Sequence, residues 1–220
     1  MTAHFIAIAG NIGVGKSTLT RLLSQELGWT PFYEAVDDNP YLPDFYADMR
    51  RWSFHSQIFF LGRRLRHHRQ LVNHPTPAIQ DRSVYEDAEI FARNLYTQGQ
   101  MDARDYAAYR ELYTAIIDFL PPPRLIVYLR ASLETLTARV QRRGREYEQA
   151  IPPDYLARLN DLYEEWISAY QLSPVLVIQT DWLDVVENPE HRGLVVEVVR
   201  DALAAAGENG KIPPHHPSIP

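Results

Sequence analysis

The sequence predicts an α/β fold, a doubly wound parallel sheet of five strands flanked by helices. Short apolar runs alternate along the chain with longer segments whose apolar residues recur at helical spacing. A glycine-rich loop joins the first run to the first helical segment. Charged residues follow the first three runs, where the carboxyl ends of parallel strands would bring them together. We expect strands near 4–9, 30–36, 77–83, 124–129 and 175–178.

Apolar periodicity and helix-ending residues define the segments between these strands. Leucines at helical spacing predict a helix over 18–27, and Gly28 is its expected end. Pro40 and Pro43 predict a loop before a helix that begins near Asp44. Ser132 is a plausible N-cap for a helix to 142. The remaining helices are expected at 52–71, 84–97, 101–119, 153–170 and 190–206.

The first strand leads into a loop that fits G-x-x-x-x-G-K-[ST], the phosphate-binding P-loop. Its glycines let consecutive backbone N–H groups turn toward a phosphate, and the following helix adds partial positive charge. Lys16 can reach the outer phosphates, and Ser17 can offer its hydroxyl to Mg²⁺. We predict nucleotide binding by Gly10, Asn11, Ile12, Gly13, Val14, Gly15, Lys16, Ser17 and Thr18.

Composition limits the class of protein. The 220 residues suit one domain at 1–206, and the Pro-, Gly- and His-rich tail 207–220 is predicted to be disordered. The net charge of −6 argues against a protein that coats nucleic acid. The absence of cysteine excludes a disulfide framework and a cysteine nucleophile. No run resembles a signal peptide or a membrane span, so we expect a soluble, cytoplasmic protein.

Four charged residues are expected at one edge of the sheet. Lys16 follows the first strand, Glu34 lies near the end of the second, and Asp81 and Arg82 end the third. Phosphoryl transfer needs a metal, cations around the phosphate and a group that orients the nucleophile. Asp81 is a candidate for the Mg²⁺ shell, and Glu34 is a candidate base for an acceptor hydroxyl. The arginine-rich segment 139–145 is a candidate lid.

Several separated motifs resemble the deoxynucleoside kinase family, and the resemblance covers most of 4–170. It is carried by the P-loop, by Glu34 and by Trp52-Ser53-Phe54 with Gln57 and Arg64. It continues in Asp81-Arg82-Ser83-Val84-Tyr85-Glu86-Asp87, Ile90-Phe91-Ala92, Asn94-Leu95-Tyr96 and Arg143-Gly144-Arg145 with Glu148. The resemblance implies a P-loop kinase fold and transfer of the γ-phosphoryl of ATP to the 5′-hydroxyl of a deoxynucleoside, with Mg²⁺.

The resemblance also implies individual roles. Glu34 would take the proton of the 5′-hydroxyl, Arg82 would lie near the transferred phosphate, and Asp81 would hold Mg²⁺ with Ser17. Residues that contact the nucleoside would be Tyr46 and Glu148 at the 3′-hydroxyl, Gln57 at the base edge, and Phe91 and Phe60 against the base. Lid cations on the donor phosphates would be Arg139, Arg143 and Arg145. The segment 181–184 would border the donor base.

The pair Arg64 and Asp87 indicates the substrate. The resemblance places Arg and Asp at these positions in members that accept purines or cytosine. A buried ion pair presents fixed donors and acceptors, so a base that leaves them unpaired is penalised. We therefore predict deoxyadenosine or deoxyguanosine, then deoxycytidine, with thymidine disfavoured. The alternative for this pair is a purely structural salt bridge.

Other classes remain open from the sequence. A nucleoside monophosphate kinase of the thymidylate kinase type would need no carboxylate base, and a non-catalytic nucleotide-binding protein would show no turnover. A GTPase is disfavoured because no N-K-x-D segment is present. The family resemblance also implies a homodimer, for which the helices at 53–71 and 84–97 are candidates.

Overall fold

In a computed structural model, residues 5–33, 39–145 and 151–208 are described. They contain five parallel strands in the order β2-β3-β1-β4-β5. This confirms the predicted α/β class and the five-stranded parallel sheet. The strands are β1 (Phe5–Gly10), β2 (Thr30–Phe32), β3 (Ala78–Asp81), β4 (Leu125–Arg130) and β5 (Val175–Gln179).

Nine α-helices and one π-helical segment surround the sheet in the described part of the chain. The helices are α1 (Lys16–Leu27), α2 (Leu42–Ala47), α3 (Met49–Val72), α4 (Val84–Glu86), α5 (Arg93–Thr97), α6 (Ala103–Ile117), α7 (Leu133–Arg143), α8 (Pro153–Ala169) and α9 (Pro189–Glu208). The π-helical segment Asp87–Ala92 joins α4 to α5 without a break.

Burial of the strands follows their position in the sheet. β1 is buried at every residue because it lies between β3 and β4. β5 is an edge strand, and its residues alternate between buried and more exposed positions. Continuous apolar runs are typical of strands covered on both faces, and alternation is typical of a half-covered edge. α1 and α9 pack against each other and against the sheet.

Several predicted boundaries change by a few residues, and two of the changes bear on the site. The helix expected from Asp44 begins at Leu42, because a proline is tolerated in the first turn of a helix, where its missing N–H is not needed. Pro43 therefore lies inside the helix rather than in a loop. The second strand ends at Phe32, so Tyr33 lies beyond it, and the rest of its predicted extent, 34–36, lies outside the described residues.

The segment 84–97 is buried at most of its positions, including Val84, Ala88 and Leu95. It packs against α3 and α8. Most of this segment is therefore enclosed by its own chain, and its expected role in a dimer contact stays a prediction. The π-helical turn inside it also departs from the regular helix that the sequence predicts. π-helical turns are rare and occur frequently at functional sites.

Candidate active site

The P-loop curves tightly between β1 and α1. Gly10, with φ of 144°, lies so close to β4 that an added Cβ would be 2.7 Å from the carbonyl oxygen of Leu129. Gly13, with φ of 83°, lies equally close to Val140 of α7. Only glycine combines these backbone angles with such close approach. Gly10 and Gly13 are therefore required by the packing of the loop against β4 and α7.

Lys16 begins α1 and turns back into the loop. Its ammonium donates to the carbonyl oxygens of Gly10 and Asn11, at 2.8 and 2.9 Å. The side chain is buried, with 7% of its surface exposed. The Asn11 side chain points away toward α8, where it donates to the carbonyl of Leu156 and the amide oxygen of Asn160. Asn11 thus anchors the loop, while Lys16 and α1 provide positive charge at its mouth.

Ser17 and Asp81 meet at the carboxyl edge of the sheet. The Ser17 hydroxyl donates to Oδ2 of Asp81 at 2.5 Å. Ser17 is the second residue of α1, and Asp81 is the last residue of β3, whose register with β1 pairs it with Ile8. The sequence prediction that these two residues come together is confirmed. Hydroxyl and carboxylate oxygens are the ligands that Mg²⁺ prefers.

Arg82 has an unusual backbone for a residue other than glycine, with φ of 66°. Its N–H donates to the carbonyl of Ile8 at 3.0 Å, which holds the turn after β3 against β1. The guanidinium lies over the ring of Phe91, 4.3 Å from the centroid. Left-handed backbone at such a residue persists only when the surroundings enforce it, and it clusters at functional sites.

Arg64 and Asp87 form a buried bidentate ion pair. Arg64 Nε and Nη2 donate to the two carboxylate oxygens at 2.9 and 3.0 Å, and Nη1 donates to the Arg82 carbonyl at 3.3 Å. The two side chains are 5% and 3% exposed. The pair predicted from the sequence is thus formed, and its third contact links it to the turn that carries Arg82.

A cavity of about 860 Å³ extends from the P-loop to Arg82 and Asp87. Asp87 lines it, whereas Arg64, within the described chain, is not part of the lining. Gln57 is 4% exposed, and its amide oxygen has no hydrogen-bond partner among the described residues. Such a buried acceptor is suited to a polar ligand, because leaving it unpaired carries a desolvation cost. The predicted nucleoside contacts that line the cavity are Tyr46, Gln57, Phe60, Arg82, Asp87 and Phe91.

The three predicted lid arginines differ in their surroundings. Arg143 and Arg145 line the cavity at and beyond the end of α7. Arg139 also lines it, but its Nη1 donates to the Val14 carbonyl and the Thr180 hydroxyl, at 3.0 and 2.9 Å. Its guanidinium thereby ties the P-loop to the end of β5, and burial lowers its pKa. This contact to the loop backbone was not predicted.

Two predicted residues cannot be located. Glu34, the predicted base, and Glu148, a predicted contact of the 3′-hydroxyl, lie outside the described residues. The predicted tail 207–220 likewise lies largely outside them. The segment 181–184, expected to border the donor base, contributes Asp181, Leu183 and Asp184 to the cavity lining.

Sequence analysis assigned no role to Glu86, which is fully buried beneath the P-loop and accepts a hydrogen bond from the Gly10 N–H. A signal was present, since Ser83 and Glu86 fit the S-x-x-E capping box. Asn160, whose amide bridges Asn11 and the Ala131 carbonyl, was also missed. No local pattern marks it, because it lies in the middle of an amphipathic helix.

The parallel sheet, the P-loop and the cation-lined cavity define a P-loop phosphotransferase. Comparisons with known proteins specify the class further. The sequence profile described as deoxynucleoside kinase matches residues 6–204. This chain is 37% identical over 200 residues to a deoxyadenosine/deoxycytidine kinase of Bacillus subtilis, covering 90% of this chain and 92% of that protein.

Further relatives agree. A deoxyguanosine kinase of Lactobacillus acidophilus is 37% identical, with 94% of this chain and 93% of that protein covered. The structure of deoxyadenosine kinase from M. mycoides with bound dATP matches with a TM-score of 0.76 at 31% identity, covering 91% of this chain and 99% of that one. The chain belongs to the deoxynucleoside kinase family. Members of this family are ATP-dependent kinases that transfer a phosphoryl group to deoxynucleosides.

Membership in this family confirms the predicted class and sets aside the monophosphate kinase and the non-catalytic binding protein. In the described residues, no helix is both long and apolar enough to cross a membrane.

Proposed function

We propose that this enzyme phosphorylates the 5′-hydroxyl of deoxyadenosine or deoxyguanosine, with deoxycytidine next and thymidine disfavoured. The observation that carries the proposal is the buried Arg64–Asp87 pair. Asp87 lines the same cavity as Gln57, whose amide oxygen has no hydrogen-bond partner among the described residues. Relatives named deoxyadenosine/deoxycytidine kinase and deoxyguanosine kinase support the same range of bases.

The chemistry of the bases gives this preference its direction. Asp87 accepts hydrogen bonds, and adenine, cytosine and guanine each carry an exocyclic amino group that can donate one. Thymine has no amino group, and its carbonyl oxygens would be opposed to a carboxylate. A site built to pair with a donor penalises a ligand that lacks it, because its own buried groups stay unpaired.

The phosphate donor of the proposal is ATP with Mg²⁺, bound by the P-loop and by Arg139, Arg143 and Arg145. Ser17 and Asp81 would hold the ion, and their two neighbouring oxygen atoms fit its preference for hard ligands. The ion, when bound, neutralises charge that develops on the phosphates. Lys16 then lies at the outer phosphates, as its position at the loop mouth supports.

On the acceptor side, Glu34 is proposed as the base that removes the 5′-hydroxyl proton. Arg82 would stabilise the charge on the transferred group, a role favoured by its burial and its position between β1 and Phe91. Tyr46 and Glu148 would bind the 3′-hydroxyl, Gln57 the base edge, and Phe91 with Phe60 the base faces. Together these contacts would orient the hydroxyl toward the phosphate.

We also propose that residues 1–206 form a single domain, that the protein is cytoplasmic and that it forms a homodimer. One main hydrophobic core reaches from Ile6 to Leu203, which supports the single domain. On and just beyond α6, Ala108, Leu112, Ala115 and Phe119 are exposed at helical spacing, and Phe119 is 84% exposed. Such an apolar stripe suits an isologous contact. Analytical ultracentrifugation tests this proposal. If the wild type sediments as a monomer and Leu112→Glu sediments identically, the dimer is contradicted.

The deciding experiment measures ATP consumption with each of the four deoxynucleosides, each beside its monophosphate. Turnover on deoxyadenosine or deoxyguanosine with little on thymidine supports the proposal, and efficient turnover on thymidine contradicts the assigned preference. Glu34→Gln should abolish turnover, because the amide cannot take the proton. Retained turnover in that variant would exclude Glu34 as the base.

A further inference from the structure

Glu86 is a fully buried carboxylate outside the residues assigned so far. Its Oε1 accepts from the Gly10 N–H at 3.2 Å and from the Tyr163 hydroxyl at 2.8 Å. Its Oε2 accepts from the N–H and the hydroxyl of Ser83, at 2.6 and 3.0 Å. A helix cap accounts for the bonds to Ser83. It does not account for the bonds to the P-loop and to α8, or for complete burial.

The hydrogen-bond partners of Glu86 require that both of its side-chain oxygens act as acceptors. The backbone N–H groups of Gly10 and Ser83 can only donate, and one bonds each oxygen. An amide in place of the carboxylate would have a single acceptor. Whichever way it turned, its NH₂ group would face one of the two N–H groups. The site therefore selects a carboxylate over its isosteric amide.

The bond to Gly10 connects Glu86 to Lys16, the lysine of the P-loop. Gly10 is the first residue of the P-loop, and its carbonyl accepts a hydrogen bond from Lys16 Nζ at 2.8 Å. Glu86 thus holds the N–H of the residue whose carbonyl positions the lysine. The charges of Lys16 and Arg82 also act on Glu86, lowering its pKa against the larger effect of burial, which raises it.

Asp87, the residue after Glu86, lies on the acceptor side of the site, where it lines the cavity. Asp87 begins the π-helical segment and pairs with Arg64, whose Nη1 bonds the Arg82 carbonyl. Two consecutive carboxylates therefore serve opposite sides, Glu86 the P-loop and Asp87 the acceptor cavity. The turn of backbone that carries them is thus one link between the two sides.

We propose that Glu86 is a positioning residue that holds the P-loop, and with it Lys16, in register with the acceptor side of the site. The inference rests on the proposed function and adds a specific role to it. Glu86 does not line the cavity, so its removal should affect the chemical step through Lys16 rather than through substrate affinity. Misplacing a catalytic group by about 1 Å can reduce a rate on the order of 100-fold.

The test is the isosteric variant Glu86→Gln, assayed with saturating ATP and magnesium and with varied deoxyadenosine. We expect kcat to fall at least about tenfold while KM for the nucleoside changes less than about threefold. The midpoint of thermal unfolding should fall by only a few degrees. The matched control is Glu89→Gln, three residues further on, where the carboxylate pairs with Arg110 in a partly exposed position. It should keep wild-type kcat.

If Glu86→Gln does not fold, Glu86→Asp replaces it. Aspartate keeps the charge but is one methylene shorter, so it cannot reach Gly10 and Ser83 together, and the same separation of kcat from KM is expected. A wild-type kcat in the folded variant would overturn the inference, as would a loss explained by the unfolded fraction alone. Wild-type enzyme without nucleoside turnover would instead refute the proposed function, so the two failures are distinguishable.

Discussion

The guanidinium of Arg64 grips both carboxylate oxygens of Asp87 while its third nitrogen holds the backbone of Arg82. The proposed sites of base recognition and phosphate stabilisation are thereby joined through one side chain on α3. The arrangement is fully enclosed by protein except where Asp87 lines the cavity. A substitution at Asp87 should therefore affect the turn that carries Arg82, and a change in that turn should affect Asp87.

Removing one partner of the pair should cost more stability than removing both. Asp87→Ala leaves a buried guanidinium without its counter-ion, and we expect the free energy of unfolding to fall by about 3–5 kcal/mol. Arg64→Met combined with Asp87→Ala should recover much of this loss. Urea unfolding of wild type, both single variants and the double variant measures the coupling. Additive losses would mean that the ion pair contributes nothing specific.

The same double variant should relax base preference. Without the carboxylate, the carbonyl oxygens of thymine no longer face a negatively charged acceptor, so the ratio of kcat/KM for thymidine over deoxyadenosine should rise at least about tenfold. Steady-state kinetics with both nucleosides provide the measurement. An unchanged ratio in folded protein would assign the pair a structural role only.

Asp81→Asn should weaken the use of magnesium. The amide keeps the size of the side chain but removes the charge that would hold the ion with Ser17. We expect the magnesium concentration for half-maximal rate to rise about tenfold. Magnesium titration at fixed ATP measures it, with exposed Asp118→Asn as the control. Equal magnesium requirements in the two variants would remove Asp81 from the metal shell.

Arg139→Lys tests the link between the P-loop and β5. Lysine keeps the charge but has one terminal nitrogen, so it cannot replace both Nη1, which bonds the Val14 carbonyl, and Nη2, which bonds the Thr180 carbonyl. We expect KM for ATP to rise about tenfold through loosening of the loop, with kcat less affected. Arg104→Lys, at a guanidinium 88% exposed, is the control. An unaltered KM for ATP would mean that charge alone is sufficient at Arg139.

His68 should make the fold sensitive to acid. Its ring is buried, Nε2 lies 3.0 Å from the Pro121 carbonyl, and the edge of the ring contacts Phe5. Burial lowers the pKa of His68 below its ordinary value of 6.5. The unfolded chain therefore binds a proton more readily, and stability that is present above pH 6.5 is lost as the pH falls below it.

His68→Gln should reduce this dependence, because glutamine can still donate to Pro121 but does not titrate. We expect the slope of unfolding free energy between pH 5 and 7 to decrease by up to about 1.4 kcal/mol per pH unit. Urea unfolding across this range measures it. His55→Gln, at an exposed position of the same helix, should keep the wild-type slope. Identical slopes for both variants would contradict the prediction.

Local sequence patterns predicted the alternation of strands and helices, the P-loop and the position of Asp81 beside that loop. Each depends on residues close in sequence or on the rule that parallel strands end at one edge. Helix boundaries were less certain, as Pro43 shows, because proline at the first turn and proline in a loop look alike in sequence. The family resemblance predicted the Arg64–Asp87 contact, which no periodicity would have indicated.

By itself, therefore, the sequence determined the fold class, the phosphate-binding loop and the family. Only the tertiary structure decided that Glu86 supports Gly10, a contact across 76 residues of chain, and that Arg139 bonds Val14 across 125. The physical reason is that a charged side chain carries the same local signal whether it is solvated or buried. Its role depends on which distant donors and acceptors the packed sheet brings within hydrogen-bond distance.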